Sequence, residues 1–336
     1  MDARAQTIKE LIKSLDGLPS KARIEKLMEG ARREGRAVFY GTANAADARK
    51  FLDGFKRKYP FLTTGHYRAG GFRLVNKVIT EARGARYEPD VIQTSALVGH
   101  ELLRAGLVAK YFSPERKYLH KEFFDKNGNW TAMQHVRVAL AYNTRLVKRK
   151  DVPKSYRDLL DPKWKGKVVI DNQDQDVLAA FIDAWGEEKA LAFFKDLAKN
   201  QVAIRRSRTL QAQLLAAGEF HIAAFLHGYR PAKMKRQGAP LDIKILDPFV
   251  TKPSPMFLAK HSPNPHAAIL LYDYLLSEDC QNIVAGKVGR GPVRIGIKER
   301  YPELQRDQYQ IVDPDTAGPK LRKLRKFFDE VFGTGS

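Results

Sequence analysis

Apolar residues recur at helical spacing near the start of the chain and then give way to alternating strands and helices. Between residues 5 and 34 they recur every three or four positions, which predicts two amphipathic helices broken at Gly17-Leu18-Pro19. Three strand–helix units follow between residues 36 and 105, each with a loop of small or polar residues after its strand. This alternation indicates an α/β fold with mostly parallel sheets flanked by helices.

The loops after these three strands carry residues suited to an anion. They contain glycines, hydroxyls and arginines: Gly41 and Thr42 in the first, Arg68, Gly70, Gly71 and Arg73 in the second, Thr94 and Ser95 in the third. Ligands of parallel sheets bind outside the carboxyl ends of the strands, where helix N-termini favour negative charge. Arginine adds a fork of donors that matches an oxyanion. The pattern predicts an oxyanion site, although Gly70-Gly71 is also compatible with a plain tight turn.

A second pair of strands lies between Val136 and Asp171, with the sequences VALAY and KVVID. In the connection, Val152-Pro153 predicts extended backbone and Ser155 a cap for a short helix. Later, Ser207, Arg208 and Thr209 stand at another predicted helix start, which is again compatible with an anion.

Composition places the chain among globular proteins. With 336 residues, 43% hydrophobic and 29% charged, it is long enough for about two domains. No apolar run could span a bilayer, and the first ten residues lack the apolar core of a signal peptide. The expectation is therefore either an export signal that was removed or a cytoplasmic protein. The single cysteine, Cys280, excludes an internal disulfide and a cysteine metal cluster.

The net charge is strongly positive, because 59 Lys and Arg stand against 38 Asp and Glu, a balance of +21. Such a field attracts small anions, anionic lipid headgroups and nucleic acid alike. The basic residues are dispersed, and no helix-turn-helix, RNP or zinc-finger signature occurs, so nucleic acid is not an expected partner.

The central stretch combines a strand ending in Tyr142-Asn143, a Pro-Lys-Ser-Tyr helix entry and the run DLLDPKWKGK before the next strand. In this combination it resembles the extracellular solute-binding proteins of ABC importers, in the branch that includes the ferric-ion binders. The resemblance extends to YGTAN, YRAGG and DVIQTS in the first part and to PSPMFLAKHSPNPHAAILLYDYLLSEDC near the end, covering residues 31 to about 300. It implies the two-lobed periplasmic binding protein type II fold, whose lobes close by a hinge on a ligand in the cleft.

The resemblance also implies a division of the chain. The N-terminal helices, residues 1–35, are expected to pack on lobe 1, which comprises residues 36–133 and 250–298, while lobe 2 comprises residues 134–249 and 299–336. The crossovers are expected near residues 133–136 and 247–256.

Two kinds of ligand are compatible with the sequence, a ferric ion and an anionic solute. Ferric binders of this branch use tyrosine phenolates, often with a histidine, and the candidates here are Tyr40, Tyr142, Tyr229 and His227. Two departures stand against iron: Gly228 replaces one of a pair of adjacent tyrosines, and Arg73 stands where some ferric binders have a glutamate. Arginine repels a cation but binds an oxyanion through two hydrogen bonds.

These departures favour a phosphate-, phosphonate- or carboxylate-bearing solute, with Fe3+ as the alternative transported ligand. The three tyrosines would then supply hydroxyls or stacking faces, although each is also compatible with a structural, half-buried ring. Sequence signatures of hydrolases, metalloproteases and P-loop enzymes are missing, so an enzyme on the same fold is the weaker alternative. The expectation is a monomer without a cofactor, located in the periplasm or outside the cell, with a small anion and an ABC-transporter permease as partners.

Overall fold

A computed structural model describes residues 6–334 of the chain. Its strands are β1 (Arg36–Gly41), β2 (Thr63–Arg68), β3 (Val91–Gln93), β4 (Val108–Ala109), β5 (Thr131–Asn143), β6 (Val168–Ile170), β7 (Ala203–Ile204), β8 (Ile222–His227), β9 (Leu241–Lys244), β10 (Val250–Ala259) and β11 (Gln310–Ile311). Its α-helices are α1 (Ile8–Leu15), α2 (Ser20–Glu34), α3 (Ala45–Lys58), α4 (Gly71–Arg83), α5 (Ala96–Arg104), α6 (Gln175–Trp185), α7 (Glu187–Lys199), α8 (Arg208–Ala217), α9 (Tyr229–Arg236), α10 (Pro265–Leu276), α11 (Glu278–Asn282), α12 (Pro314–Ala317) and α13 (Leu321–Phe332).

The described chain forms two compact units. Unit 1 contains residues 6–135 and 253–298, and unit 2 contains residues 136–252 and 299–334. The chain passes between the units within β5, within β10 and once more after residue 298. Helices flank the sheet of each unit, which confirms the α/β class expected from the alternation of strands and helices.

The sheet of unit 1 is built on three parallel strands in the order β2, β1, β3. β10 continues it antiparallel to β3, with Phe257 opposite Ile92, and the end of β10 also pairs with β4. Helices α3, α4 and α5 each follow one of the parallel strands, so all three begin at the carboxyl edge of this sheet.

Helix α10 forms the centre of unit 1, because all 12 of its residues are buried. One carboxylate on it, Asp273, accepts hydrogen bonds from Arg23 (2.8 Å), Ser113 (2.6 Å) and Tyr111 (2.8 Å). Arg23 belongs to α2, so this buried network fixes the N-terminal helix against the core. A buried charge is tolerated only when it is paired and hydrogen-bonded in this way.

The sheet of unit 2 has the order β9, β5, β8, β6, β7. β6 runs parallel to β7 and β8, whereas β5 runs antiparallel to β8 and β9. The end of β5 therefore lies at the opposite edge of the sheet from the ends of β6 and β8, a direction that the order of elements along the chain does not reveal.

Aromatic rings fill the core of unit 2. Phe181 lies 5.0 Å from Tyr156 and 5.8 Å from Phe225 between ring centroids, and α13 adds Phe328 against Phe194 at 6.3 Å. Helix α9 is an addition to the elements expected from the sequence; Pro231 lies in its first turn, where its missing N–H has no intrahelical partner to lose. None of the helices in residues 6–334 combines the length and the apolar character needed to cross a bilayer.

Candidate functional site

The carboxyl edge of unit 1 brings the three predicted anion loops together. Gly41 at the end of β1 pairs with Arg68 at the end of β2 and with Gln93 at the end of β3. The loops that follow these strands therefore start side by side. Gln93, which the sequence reading did not single out, joins two of them, because its Oε1 accepts hydrogen bonds from the N–H (3.1 Å) and the hydroxyl (3.0 Å) of Thr42.

The start of α4 lies directly against the start of α5. A Cβ placed on Gly71 would stand 3.1 Å from Thr94 Oγ1 and 3.7 Å from Ser95 Oγ, so glycine lets the first turn of α4 approach both hydroxyls. Thr94 is fully buried, and its hydroxyl has no hydrogen-bond partner within residues 6–334. A buried hydroxyl without a partner is costly, and a bound ligand is one means of satisfying it.

The N-termini of α4 and α5 also lack internal anions. Neither Gly70 nor Ser95, which precede these helices, caps them with a side-chain hydrogen bond, and neither first turn contains an acidic residue. Helix α3 differs, because Asn44 caps it and Asp47 places a carboxylate in its first turn. The positive dipole ends of α4 and α5 therefore favour an anion there.

Two predicted arginines are exposed at this edge: Arg68 at the end of β2 and Arg73 in the first turn of α4. The charge of Arg68 is strong enough to act on His66, whose pKa falls first through burial and then through this neighbouring charge. Arg68 thus supplies positive potential where β2 ends.

Tyr40 does not join the glycine loop. Its ring lies 4.9 Å from that of Tyr67, and its hydroxyl lies 3.4 Å from Glu81, ten residues into α4. At 1.5 Å per residue, Glu81 is about 15 Å along the helix from Gly71. Burial first, and then the charge of Glu81, raises the pKa of Tyr40 above its usual value, which opposes phenolate formation.

Tyr142 and Tyr229 are not brought together in unit 2. In the antiparallel β5–β8 pair, Tyr142 stands opposite Ile222, whereas Val138 stands opposite His227. Four residues separate the two positions on β5, which is about 13 Å along a strand. Tyr142 therefore lies towards one edge of the sheet, and His227 and Tyr229 lie at the other.

Tyr229 begins α9 and packs in an apolar cluster. It is 6% exposed and lies in one core cluster with Ala139 and Leu304. Its ring centroid is 6.4 Å from that of His227, and the guanidinium of Arg230 lies 5.1 Å from it. The guanidinium thus adds positive charge beside Tyr229, the remaining member of the tyrosine pair that the resemblance implies.

Gly228 is close-packed, which gives a physical reason why no tyrosine stands there. A Cβ at this position would lie 2.5 Å from Leu304 Cδ2 and 3.3 Å from Ala139 Cβ. Any larger side chain therefore requires the neighbouring residues to move.

Among the residues predicted at a helix start in unit 2, Arg208 uses its side chain for hydrogen bonds within the protein. Its guanidinium donates to Asp174 and to the carbonyl of Phe225 (2.9 Å). Burial alone would lower the pKa of Arg208, but the carboxylates of Asp174 and Asp171 outweigh it and raise that pKa above its usual value. Ser207 caps α8 weakly through Leu210 N–H (3.5 Å), and Thr209 is exposed. These contacts indicate a structural role for Arg208.

A family model described as bacterial extracellular solute-binding protein matches residues 89–315. Iron uptake protein A1 of Synechocystis sp. is 24% identical over 234 residues, 61% of this chain and 62% of that protein, which is less than two thirds of its length. Two solved structures share the fold with a TM-score of 0.78 and 23% identity each: iron-bound HitA from Pseudomonas aeruginosa (88% of this chain, 99% of that chain) and AfuA from Actinobacillus pleuropneumoniae with fructose-6-phosphate bound (90% and 100%).

These similarities confirm the binding protein type II fold expected from the central stretch, because both solved structures are superposable over nearly their whole length. The family is one of solute-binding transport proteins, which confirms the expectation of a binding protein rather than an enzyme. The match covers well over half of the chain. The chain therefore belongs to the bacterial extracellular solute-binding protein family.

Proposed function

We propose that the protein is the solute-binding component of an ABC importer, acting outside the cytoplasm, and that its solute carries a phosphate, phosphonate or carboxylate group. The observation that carries this proposal is the buried hydroxyl of Thr94, which lacks a partner among the described residues and faces the first turn of α4 at Gly71. An oxyanion placed there would accept a hydrogen bond from this hydroxyl and would lie at the positive dipole ends of α4 and α5.

Electrostatics support the same choice of ligand. The two helix starts carry no acidic residue, and Arg68 and Arg73 are exposed nearby in the chain. The net charge of +21 raises the concentration of anions around the whole protein. AfuA, which has the same fold, holds fructose-6-phosphate, so this architecture accommodates a phosphate ester.

Ferric ion is the second candidate, and two of the similar proteins favour it over an organic anion. One is named Iron uptake protein A1, and the structure of HitA is that of an iron-bound protein. Within residues 6–334 no group of three or more His, Cys, Asp and Glu side chains could hold a metal, so iron would depend on phenolates. In unit 2, Tyr229 is the candidate phenolate that lies beside a candidate histidine, because its ring centroid is 6.4 Å from that of His227.

A ligand screen separates the two candidates. Purified protein is first examined by native mass spectrometry for a bound solute, and its melting temperature is then measured with phosphate esters, phosphonates, carboxylates and ferric citrate. A ligand present well above its Kd raises the melting temperature by mass action. We expect the largest rise with a phosphate- or phosphonate-bearing solute.

Iron binding has its own signature, because ferric tyrosinate absorbs visible light. A visible band that develops with ferric citrate and is lost in Tyr229→Phe, without any stabilisation by the organic anions, would overturn the anion proposal in favour of iron. Stoichiometric binding without turnover of the ligand distinguishes both candidates from an enzyme.

A further inference from the structure

A dense group of positive charges in unit 2 is not used by the candidate solute site. Between residues 144 and 167 the chain has nine Lys and Arg and only three Asp. We define the basic edge as six exposed members of this group, Arg145, Lys148, Arg149, Lys150, Lys165 and Lys167.

The backbone holds the first four of these residues in fixed positions. Asn143 at the end of β5 accepts the N–H of Arg145 on its side-chain oxygen (2.9 Å) and donates to Leu215 O (2.8 Å). Val147, 3% exposed, is inserted into the core between the charged residues. The segment is therefore an ordered turn that presents its cations outward, and less conformational entropy is lost when they bind a surface.

The other two cations stand on the same edge of the sheet. Asn143 N–H donates to His221 O (3.0 Å), and His221 N–H donates to Lys167 O (2.9 Å). The turn after β5 and the turn before β6 thus lie on either side of His221. Burial first, and then the charge of Lys167, lowers the pKa of His221, so the cationic form of this imidazole is disfavoured beside the basic edge.

The nearby carboxylates do not neutralise the basic edge. Asp158 accepts hydrogen bonds from Ser155 and Lys154, and Asp161 pairs with Lys163 at 3.5 Å. None of the six basic-edge residues takes part in an ion pair seen within residues 6–334. Asp151 is also exposed in this stretch, and no ion pair between it and the basic edge is seen within residues 6–334.

We propose that the basic edge binds the surface of an anionic phospholipid bilayer. Clusters of four to eight Lys and Arg recognise anionic headgroups, each contributing additively near the surface. Leu146 is 42% exposed among these cations and can enter the interface between headgroups and acyl chains. The basic edge lies where β5 ends and β6 and β8 begin, opposite His227 and Tyr229, so membrane contact leaves the other edge of unit 2 accessible.

The test is co-sedimentation of the full chain with vesicles of phosphatidylcholine containing about one third phosphatidylglycerol, and with vesicles of phosphatidylcholine alone. We expect binding only to the anionic vesicles in about 0.1 M salt, and its loss in about 1 M salt, where charge interactions are screened within a few ångströms.

A pair of matched triple variants assigns the effect to the basic edge. Lys148→Gln, Arg149→Gln and Lys150→Gln together should weaken partitioning by about 10- to 100-fold. The control replaces Lys189, Lys195 and Lys199, all exposed on α7, by Gln and removes the same charge from the same unit. It should change partitioning by less than about twofold.

Three outcomes would overturn the proposal. These are equal losses in the two triple variants, which would indicate net charge alone, failure of the parent protein to bind anionic vesicles, and tighter binding to a mixed-sequence DNA duplex than to the vesicles at the same salt. All substituted side chains are exposed, and an unchanged melting temperature verifies that both variants fold.

Discussion

The guanidinium of Arg208 forms an ion pair with the carboxylate of Asp174, which is fully buried in unit 2. It also lies 3.6 Å from Asp171 Oδ2 and donates to the carbonyl of Phe225 in β8. The side chain therefore joins α8 to β8 and to the loop after β6. Removing one member of such a pair leaves an uncompensated buried charge, which is the main cost of breaking it.

Arg208→Ala should consequently lower the free energy of unfolding by about 3–5 kcal/mol. Urea denaturation monitored by circular dichroism measures this change. Arg206→Ala is the matched control, because Arg206 is exposed two residues away, and it should stay within about 0.5 kcal/mol of the parent. A cost below about 1 kcal/mol for Arg208→Ala would return Arg208 to the candidate solute contacts.

The second prediction concerns the close packing of Gly228 against Leu304. Because a Cβ on Gly228 would lie 2.5 Å from Leu304 Cδ2, Gly228→Ala should destabilise the protein by about 1–3 kcal/mol through overpacking. Leu304→Ala should lower the free energy of unfolding less in the Gly228→Ala protein than in the parent. The two side chains share one space, so the effects of the two substitutions are not additive.

The control for that substitution is Gly286→Ala, where a Cβ would meet no atom within 4 Å and the backbone is helical. It should be neutral or slightly stabilising, because alanine restricts the unfolded chain. Both are measured by thermal unfolding. A Gly228→Tyr protein as stable as the parent would show that a pair of adjacent tyrosines is sterically possible and would strengthen the iron candidate.

The anion loops of unit 1 could be predicted from the sequence because parallel strands that alternate with helices all end at one edge. Gly71, Thr94 and Ser95 come together for that reason alone. The tyrosines could not be placed in this way. Tyr40 stands near a strand end, but the alternation of side chains turns its ring towards the body of α4 at Glu81.

In unit 2, the direction of the strands could not be predicted from the sequence. The order of elements does not reveal that β5 is antiparallel to β8, and this direction places Tyr142 and Tyr229 towards opposite edges of the sheet. Arg208 shows a further limit, because its carboxylate partners follow β6, more than thirty residues earlier in the chain. Long-range ion pairs of this kind leave no local signal in the sequence.

A third prediction concerns the dependence of stability on pH. Asp90 is buried in unit 1 and accepts hydrogen bonds from Val38 N–H (2.6 Å) and the hydroxyl of Ser262 (2.6 Å). Burial raises the pKa of Asp90 to about 7, because it outweighs the opposing effect of these hydrogen bonds. In the unfolded chain the same group titrates near its ordinary value of 3.8.

Between these two values the folded protein holds a proton that the unfolded chain has released. Stability from Asp90 is therefore fully present at low pH and is lost as the pH rises towards 7, by at most about 1.4 kcal/mol per pH unit. Urea unfolding from pH 5 to pH 7 should show this slope in the parent and a shallower one in Asp90→Asn. Identical slopes in the two proteins would contradict the assignment.

The fourth prediction uses the buried hydroxyl of Thr94. Thr94→Val keeps the shape of the side chain but removes the polar group that has no partner among the described residues, so the ligand-free protein should be as stable as the parent or more stable. Affinity for the solute found in the screen should fall roughly tenfold to a hundredfold, because a hydrogen bond to a charged group contributes about 1.5–3 kcal/mol. Isothermal titration measures it. A destabilised protein with unchanged affinity would make Thr94 a purely structural residue.

The last prediction concerns the charge at the end of β2. If Arg68 forms a bidentate contact with the oxyanion, Arg68→Ala should weaken binding roughly tenfold to a hundredfold, and Arg68→Lys should recover only part of this loss, because lysine keeps the charge without the planar fork. Arg36→Ala is the matched control, since Arg36 begins β1 at the opposite edge of the same sheet and carries the same charge. Equal losses for Arg36→Ala and Arg68→Ala would indicate a general field effect of the protein. Unchanged affinity in Arg68→Ala would mean that Gly70-Gly71 is only a turn, and the oxyanion site in unit 1 would have to be abandoned.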